Sequence, residues 1–340
     1  MVKFDALSRR TFLAGTASAV GMLLTGSALV RPRRARAQKL KVVEGVTLSP
    51  PSNSSFLEAI IKGKKFDQKH GIDLKITRYR TLATMYADFA KRKTPVALSP
   101  AFYNAAKFYS KGIPIQYTFT YSTANQAIMT KNPKIRNIED LRGKRMAATT
   151  GSGFYGMTEL ALRRHGLNSR KDLELITAAP PAVRTQLEVG KIDAGVVWAE
   201  TVPELLLKGF HIVGDITADI RAHLKMGADE PVWYLGDYAF KDWLEEDPER
   251  IRSLYLAYRD AARFWLEQQN EAVSLVAELT KLPEKVLHYT IAKKLVEFRI
   301  EPAIQQKENI KKSLQAFIDV GFLDEMPNDG IFYPWPQLKG

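Results

Sequence analysis

From Leu40 onward, short apolar runs alternate with amphipathic helical stretches, which is the pattern of an α/β protein. Leu40 to Val46 reads as a buried strand. Ser49-Pro50-Pro51-Ser52-Asn53-Ser54-Ser55 follows as a loop dense in helix-capping residues, and a helix opens near Phe56 and stops at Gly71. Ile72, Leu74 and Ile76 alternate as a strand should, while Leu82, Met85, Tyr86 and Phe89 mark one face of a helix. Val96-Ala97-Leu98 is a short apolar run ending at Ser99-Pro100, and Ile113, Ile115, Tyr117 and Phe119 alternate again.

The character changes at Tyr121, where a polar stretch from Ser122 to Gln126 suggests a crossing between two lobes. The theme then repeats. Strands are predicted at Arg145–Thr149, Leu173–Thr177 and Ala194–Trp198, with helices at Gly156–His165, Ala182–Gly190 and Val202–Lys208 and a further strand at His211–Val213. A return crossing is expected around Gly227 to Gly236. Beyond Pro248 the chain is mostly helical, and Ile251, Leu254, Tyr255, Tyr258, Ala262 and Trp265 form a stripe suited to core packing. No internal repeat or low-complexity segment is present. The expected organisation is a discontinuous first lobe (38–124 plus 228–340), an inserted second lobe (125–227) and two hinge strands.

The first 37 residues read as an address. Ser8-Arg9-Arg10-Thr11-Phe12-Leu13 matches a twin-arginine export motif. The stretch Thr11 to Val30 is uncharged, and Ala35-Arg36-Ala37 suggests cleavage before Gln38. A membrane anchor is the competing reading, since roughly 20 apolar residues span a bilayer. The Gly, Ala, Ser and Thr content makes this stretch only weakly apolar and favours a cleaved signal. Export by that route implies a periplasmic protein.

Removing the segment takes away Lys3, Arg9, Arg10, Arg31, Arg33, Arg34, Arg36 and the single acid Asp5, so the formal net charge falls from +13 to +7. That surplus helps draw anions but is too diffuse for nucleic acid binding. The chain has no cysteine. This excludes disulfides, thiolate metal sites, cysteine nucleophiles and a lipoprotein anchor. The 303 residues after Ala37 exceed one ordinary domain and fit two lobes.

Ligands of α/β lobes sit beyond the carboxyl ends of strands, which nominates the loops 49–55, 99–103 and 150–155. Gly151-Ser152-Gly153-Phe154-Tyr155-Gly156 fits G-x-G-x-x-G between a strand and a helix. A dinucleotide would need an acid at the end of the next strand. Glu174 lies too early for that, and Phe154 and Tyr155 would crowd a pyrophosphate. A smaller anion suits the turn better, because helix N–H groups point at it and Ser152 adds a hydroxyl. The alternative is that Ser152 simply caps its helix.

Candidate ligand-binding residues are therefore Ser49, Asn53, Ser54, Ser99, Tyr103, Ser152, Gly153, Phe154, Tyr155 and Trp198. Trp198 would stack on a ligand or plug the core, and Glu200 and Arg184 would enter the cleft or pair at the surface. The five histidines are far apart with no metal spacing, and there is no nucleophile motif. No catalytic residue, metal or cofactor is expected.

Four stretches resemble the nitrate, taurine and aliphatic-sulfonate group of ABC-transporter binding proteins. Gly63 to Leu74 is similar to the family's G-x-F-x-x-x-G-L-x-V segment with one extra residue. Leu141-Arg142-Gly143-Lys144-Arg145 through Gly151-Ser152 is similar to its L-x-G-K-x-V…x-G-S segment. Gly190-Lys191-Ile192-Asp193-Ala194 resembles its G-x-x-D-A, and Lys111-Gly112-Ile113-Pro114-Ile115 its strand entering the crossing. Two departures fall on loops that line the cleft in that family. Lys91-Arg92-Lys93-Thr94 replaces a G-x-x-D, and a proline is displaced to Pro203.

The resemblance implies a two-lobed periplasmic binding protein fold (type II), with two α/β lobes joined by a two-strand hinge. It further implies a monomer that closes on a small, anionic organic solute, a sulfonate, nitrate or carboxylate, and docks on an inner-membrane ABC permease. Some relatives are enzymes that make the thiamine-precursor pyrimidine with a cysteine-rich motif, which this cysteine-free chain lacks. A ligand-sensing partner of a membrane receptor would use the same fold.

Overall fold

The computed structural model describes residues 39–336. The twin-arginine segment and the expected cleavage after Ala37 lie outside the described residues. The strands are β1 (Lys41–Leu48), β2 (Ile72–Tyr79), β3 (Val96–Ala97), β4 (Ile115–Thr123), β5 (Ala127–Thr130), β6 (Arg145–Ala148), β7 (Glu174–Thr177), β8 (Ala194–Val197), β9 (His211–Ile212) and β10 (Trp233–Phe240).

They form two five-stranded sheets, ordered β2-β1-β3-β10-β4 and β7-β6-β8-β5-β9. The two orders are the same pattern. In the first, β1 pairs in parallel with β2 and β3, and β10 runs antiparallel to both β3 and β4. In the second, β6 pairs in parallel with β7 and β8, and β5 runs antiparallel to both β8 and β9. Each antiparallel strand is the first one laid down after the chain changes sheets. The crossings run from Thr123 to Ala127 and from the helix Ile216–His223 to Trp233.

In the first sheet β3, β10 and nearly all of β4 are buried, while β1 and β2 keep exposed residues such as Lys41, Glu44 and Lys75. The helix Pro248–Glu267 buries Ile251, Leu254, Tyr255, Tyr258, Ala262 and Trp265, the predicted stripe. Trp265 packs on Phe56 of the helix Ser54–Lys64 at 5.7 Å between ring centroids. β4 is an edge strand, yet all but its last residue are buried. Two of its buried threonines bond to neighbouring backbone: Thr118 Oγ1 donates to the Asp237 carbonyl at 3.0 Å and Thr120 Oγ1 to the Arg299 carbonyl at 2.6 Å. Residues near Phe298, Pro302 and Phe332 cover that edge through isolated bridges, which leaves no open ladder for another chain to extend.

Three boundaries differ from the sequence reading. The helix expected from Phe56 to Gly71 breaks at Lys65, whose left-handed φ of 55° ends one helix at Lys64 before a short turn Phe66–Lys69. The helix expected at Gly156 begins at Gly153, because the Ser152 hydroxyl accepts the Tyr155 N–H and starts it a turn earlier. β10 carries a bulge: Trp233 faces Thr123 and Leu235 faces Ser122, so Tyr234 is the extra residue.

Candidate functional site

A narrow cavity of about 30 Å³, room for water-sized groups only, lies between the two sheets beyond the ends of β1, β3 and β8. Its polar wall is Ser52, Asn53, Ser54 and Ser99. Its aromatic wall is Tyr86, Phe154, Trp198 and Tyr234, and Leu48, Leu82, Met85, Leu98 and Leu235 complete it. No charged side chain is among these lining residues.

The loop after β1 is braced before it reaches the cavity. The Ser49 N–H donates to the Tyr79 carbonyl at 2.8 Å, and the Tyr121 hydroxyl donates to the carbonyls of Asn53 and Ser54 at 2.9 and 3.2 Å. Asn53 occupies the cap position of the helix Ser54–Lys64 in a helical conformation, so its side chain cannot fold back to cap the first turn. Its Nδ2 is buried with no partner in the protein. The helix's positive dipole end lies beside this unpaired amide donor, while the Ser54, Ser55 and Phe56 N–H groups are taken up by Ser52 Oγ, the Ser52 carbonyl and the Asn53 carbonyl.

Ser99 sits at φ 50°, in the left-handed region that a serine enters only when held there. Its N–H donates to Asp237 Oδ1 at 2.6 Å, and its own hydroxyl is buried and unpaired. Asp237 lies inside the first lobe, where burial pushes its carboxyl well above the usual range and the Ser99 N–H partly offsets that. The loop is tied to the same strand twice more, by the Gly236 N–H to the Pro100 carbonyl and by a bridge between Ala101 and Leu235. Gly236 is required there, since a Cβ would stand 2.1 Å from Phe102 and 2.7 Å from the Phe119 carbonyl oxygen.

The bulge explains a placement that regular strand geometry forbids. Neighbours on a strand point to opposite faces, yet Tyr234 and Leu235 both line the cavity. The extra residue turns Tyr234 inward. Its ring stacks on Phe154 at 4.0 Å, and Phe154 meets Trp198 at 5.2 Å, giving a run of three aromatic rings.

Of the residues nominated from sequence, Asn53, Ser54, Ser99, Phe154 and Trp198 come together at the cavity. Ser49, Tyr103, Ser152, Gly153 and Tyr155 are not among its lining residues. Ser152 is occupied as a cap, its hydroxyl donating to the Thr149 carbonyl at 2.8 Å and accepting the Tyr155 N–H at 3.3 Å. The Tyr155 hydroxyl is 2.5 Å from that of Ser169, away from the cleft. Tyr103 reaches from the first lobe to donate to the Gly151 carbonyl at 3.2 Å. Gly153 is a point of close approach, where a Cβ would stand 2.7 Å from Tyr103 and 2.9 Å from Tyr234.

Arg184 is held by Glu188 and Glu204, at 3.2 and 2.5 Å. Glu200 is buried near the Asn53 backbone. Burial raises its carboxyl to about 7, with the N–H groups of Glu200 and Asn53 opposing the rise. Sequence reasoning missed Leu82, Met85, Tyr86 and Tyr234 as cavity residues. The first three read in sequence as one face of a helix, and the fourth falls inside the expected return crossing.

A family model described as "NMT1/THI5 like" matches residues 56–272, well over half of the chain. The chain belongs to the NMT1/THI5-like family. Among curated relatives, the taurine-binding periplasmic protein of Escherichia coli is 27% identical over 184 residues, 52% of this chain and 54% of that protein. The chain thus spans about half the length of the curated relatives it matches. Among solved structures, the periplasmic aliphatic sulphonate binding protein SsuA from Escherichia coli superposes with a TM-score of 0.71 at 16% identity, covering 89% of this chain and 94% of that one. The periplasmic nitrate-binding protein NrtA from Synechocystis PCC 6803 superposes with a TM-score of 0.58 at 14% identity, over 74% and 69%. These likenesses give this NMT1/THI5-like chain the two-lobed α/β fold of periplasmic binding proteins.

Proposed function

We propose that the chain is a solute-binding protein that closes two lobes on a small organic molecule and hands it to the membrane permease of an ABC importer. The lobes are residues 38–124 with 228–340 and residues 125–227. The protein leaves the cytoplasm by the twin-arginine route, loses its signal near Ala37 and works in the periplasm as a monomer without catalysis.

The observation that carries this reading is a cavity walled by both lobes in which a buried amide nitrogen of Asn53 and a buried hydroxyl of Ser99 lack partners. Unpaired buried polar groups are costly, and a ligand with acceptor oxygens would satisfy both. Such a ligand would place a sulfonate, nitrate or carboxylate oxygen on Asn53, Ser52, Ser54 and Ser99 and its carbon body among Phe154, Trp198 and Tyr234. The N-terminus of the helix Ser54–Lys64 supports negative charge without a lysine or arginine. Neutral donors also let the ligand leave, as a carrier requires. The names of the relatives, which bind taurine, sulphonates and nitrate, agree with that chemistry.

Loading requires movement, because the cavity is too small for such a solute while Tyr103 touches Gly151 and Tyr234 stacks on Phe154. A ligand that contacts both lobes favours the closed state.

The test is a thermal-shift and calorimetric screen of the purified protein with taurine, alkanesulfonates, nitrate, aromatic carboxylates and pyrimidines. A ligand at 100 times its dissociation constant adds about 2.7 kcal/mol of stability. A small-anion hit that Asn53→Ala weakens supports the reading. A hit confined to neutral pyrimidines overturns the anion assignment, and turnover of any ligand overturns the carrier role.

A further inference from the structure

A second pocket of about 450 Å³ opens beside the crossing from the first lobe to the second. It shares no lining residue with the aromatic cavity. β4 and β9 are edge strands of their sheets, and the pocket lies on that flank, whereas the cavity lies over β1, β3 and β8. Its walls come from the crossing at Asn125 and Gln126, from the start of the helix Ile216–His223 and from the segment around Lys294.

Both polar side-chain atoms of Asn125 and both of Gln126 are buried and have no hydrogen-bond partner in the protein. Gln126 as a whole is 6% exposed. An amide in that position loses its water without gaining a replacement, and here two adjacent residues do so on the crossing between the two sheets. At the rim stand charges of both signs. Among the described residues Lys294 makes no ion pair. Asp215 offers a carboxylate whose Oδ1 accepts the Ala218 N–H at 3.0 Å, and Glu297 lies 3.6 Å from Arg299.

We propose that this pocket is a second ligand site, for a small zwitterion that carries a primary carboxamide, an amino acid of the glutamine kind. A carboxamide donates and accepts side by side, so it answers the unpaired donors and acceptors of Asn125 and Gln126 together; a simple anion or cation answers only half of them. The α-carboxylate would meet Lys294 and the α-ammonium Asp215 and Glu297. Because the walls belong to the crossing and to both of its sides, an occupant would fix the angle of the crossing and couple to loading of the aromatic cavity. By linkage the coupling runs equally in both directions.

The test follows the side-chain amide resonances of Asn125 and Gln126 in the purified protein during titration with L-glutamine, with L-glutamate as the comparison. L-glutamine is expected to shift both pairs saturably, with L-glutamate at least about tenfold weaker. Lys294→Ala, at an exposed position, should weaken L-glutamine by about tenfold or more. Gln126→Leu, which removes both unpaired amide atoms, should weaken it likewise. Absence of a saturable shift at millimolar L-glutamine overturns the proposal. So does an affinity unaltered in both Lys294→Ala and Gln126→Leu, and so do shifts confined to the ring resonances of Phe154, Trp198 and Tyr234, which would place L-glutamine in the aromatic cavity.

Discussion

Asp237, on the strand that returns from the second lobe, holds Ser99 in a left-handed conformation by accepting its N–H at 2.6 Å. The residue that shapes one cavity wall is therefore fixed by a buried carboxyl that does not line the cavity. Ser99→Gly should separate the two roles. Glycine accepts the backbone angle without the roughly 1–2 kcal/mol cost an L-residue bears there, so the melting temperature should hold or rise while ligand affinity falls with the lost hydroxyl. Asp237→Ala should lower both, since it strands a buried N–H at a cost of about 1–3 kcal/mol. Asp237→Asn, which keeps an acceptor, should restore most of each. Calorimetry and thermal melts on the three variants decide it.

Gly153 offers a way to weaken closure while leaving each lobe whole. An added methyl would press on Tyr103 and Tyr234 across the cleft, at 2.7 and 2.9 Å. Gly153→Ala should lower ligand affinity by about tenfold or more, equivalent to about 1.4 kcal/mol, and reduce the compaction seen by small-angle scattering when ligand is added. Unchanged compaction and affinity would show that the lobes do not meet there on loading.

Ser152 and Asn53 should respond in opposite ways. Ser152 caps its helix with both sides of its hydroxyl engaged, so Ser152→Ala should cost about 1 kcal/mol of stability and leave affinity alone. Asn53→Ala removes an amide with nothing to lose in the protein, so stability should hold while affinity falls. Denaturant titrations paired with binding isotherms separate the two.

Glu200 gives the protein a pH dependence of definite sign. Its carboxyl sits at about 7 in the folded chain against an ordinary 4.5, so the folded state holds the proton longer than the unfolded one. Stability from this group is intact below about pH 4.5 and declines as pH rises toward 7. Glu200→Gln should match the parent near pH 4.5 and exceed it at about pH 8, by at most about 3 kcal/mol. Urea unfolding at the two pH values measures the difference. A gap that stays constant with pH would mean that Glu200 ionises normally.

The architecture was legible because the apolar runs and helical stripes are long and keep their period, as in Ile251 to Trp265. The loops at Ser52–Ser54 and Ser99, and Trp198, could be nominated for the same reason: once a strand is placed, its carboxyl end is placed. What escaped the sequence has definite causes. Leu82, Met85 and Tyr86 share a helical face with Phe89, and an apolar face looks the same whether it meets a core or a cleft. Ser152 could not be told from a ligand-binding serine, because capping and anion binding ask for the same hydroxyl in the same turn. Tyr234 points inward only because of a bulge, and a strand read with period two gives no sign of one.

β10 brings the chain back from the second lobe, presents Tyr234 and Leu235 to the cavity and anchors Ser99 through Asp237. On the proposed carrier role, cargo choice and lobe mechanics fall on one stretch of eight residues. A lineage that changed its cargo through this strand would alter its gait at the same time. Drift toward a new solute has a freer path through Leu82 and Tyr86, whose helix lies outside both sheets. In a family tree, those positions should wander with diet while Gly236 and Asp237 stand still.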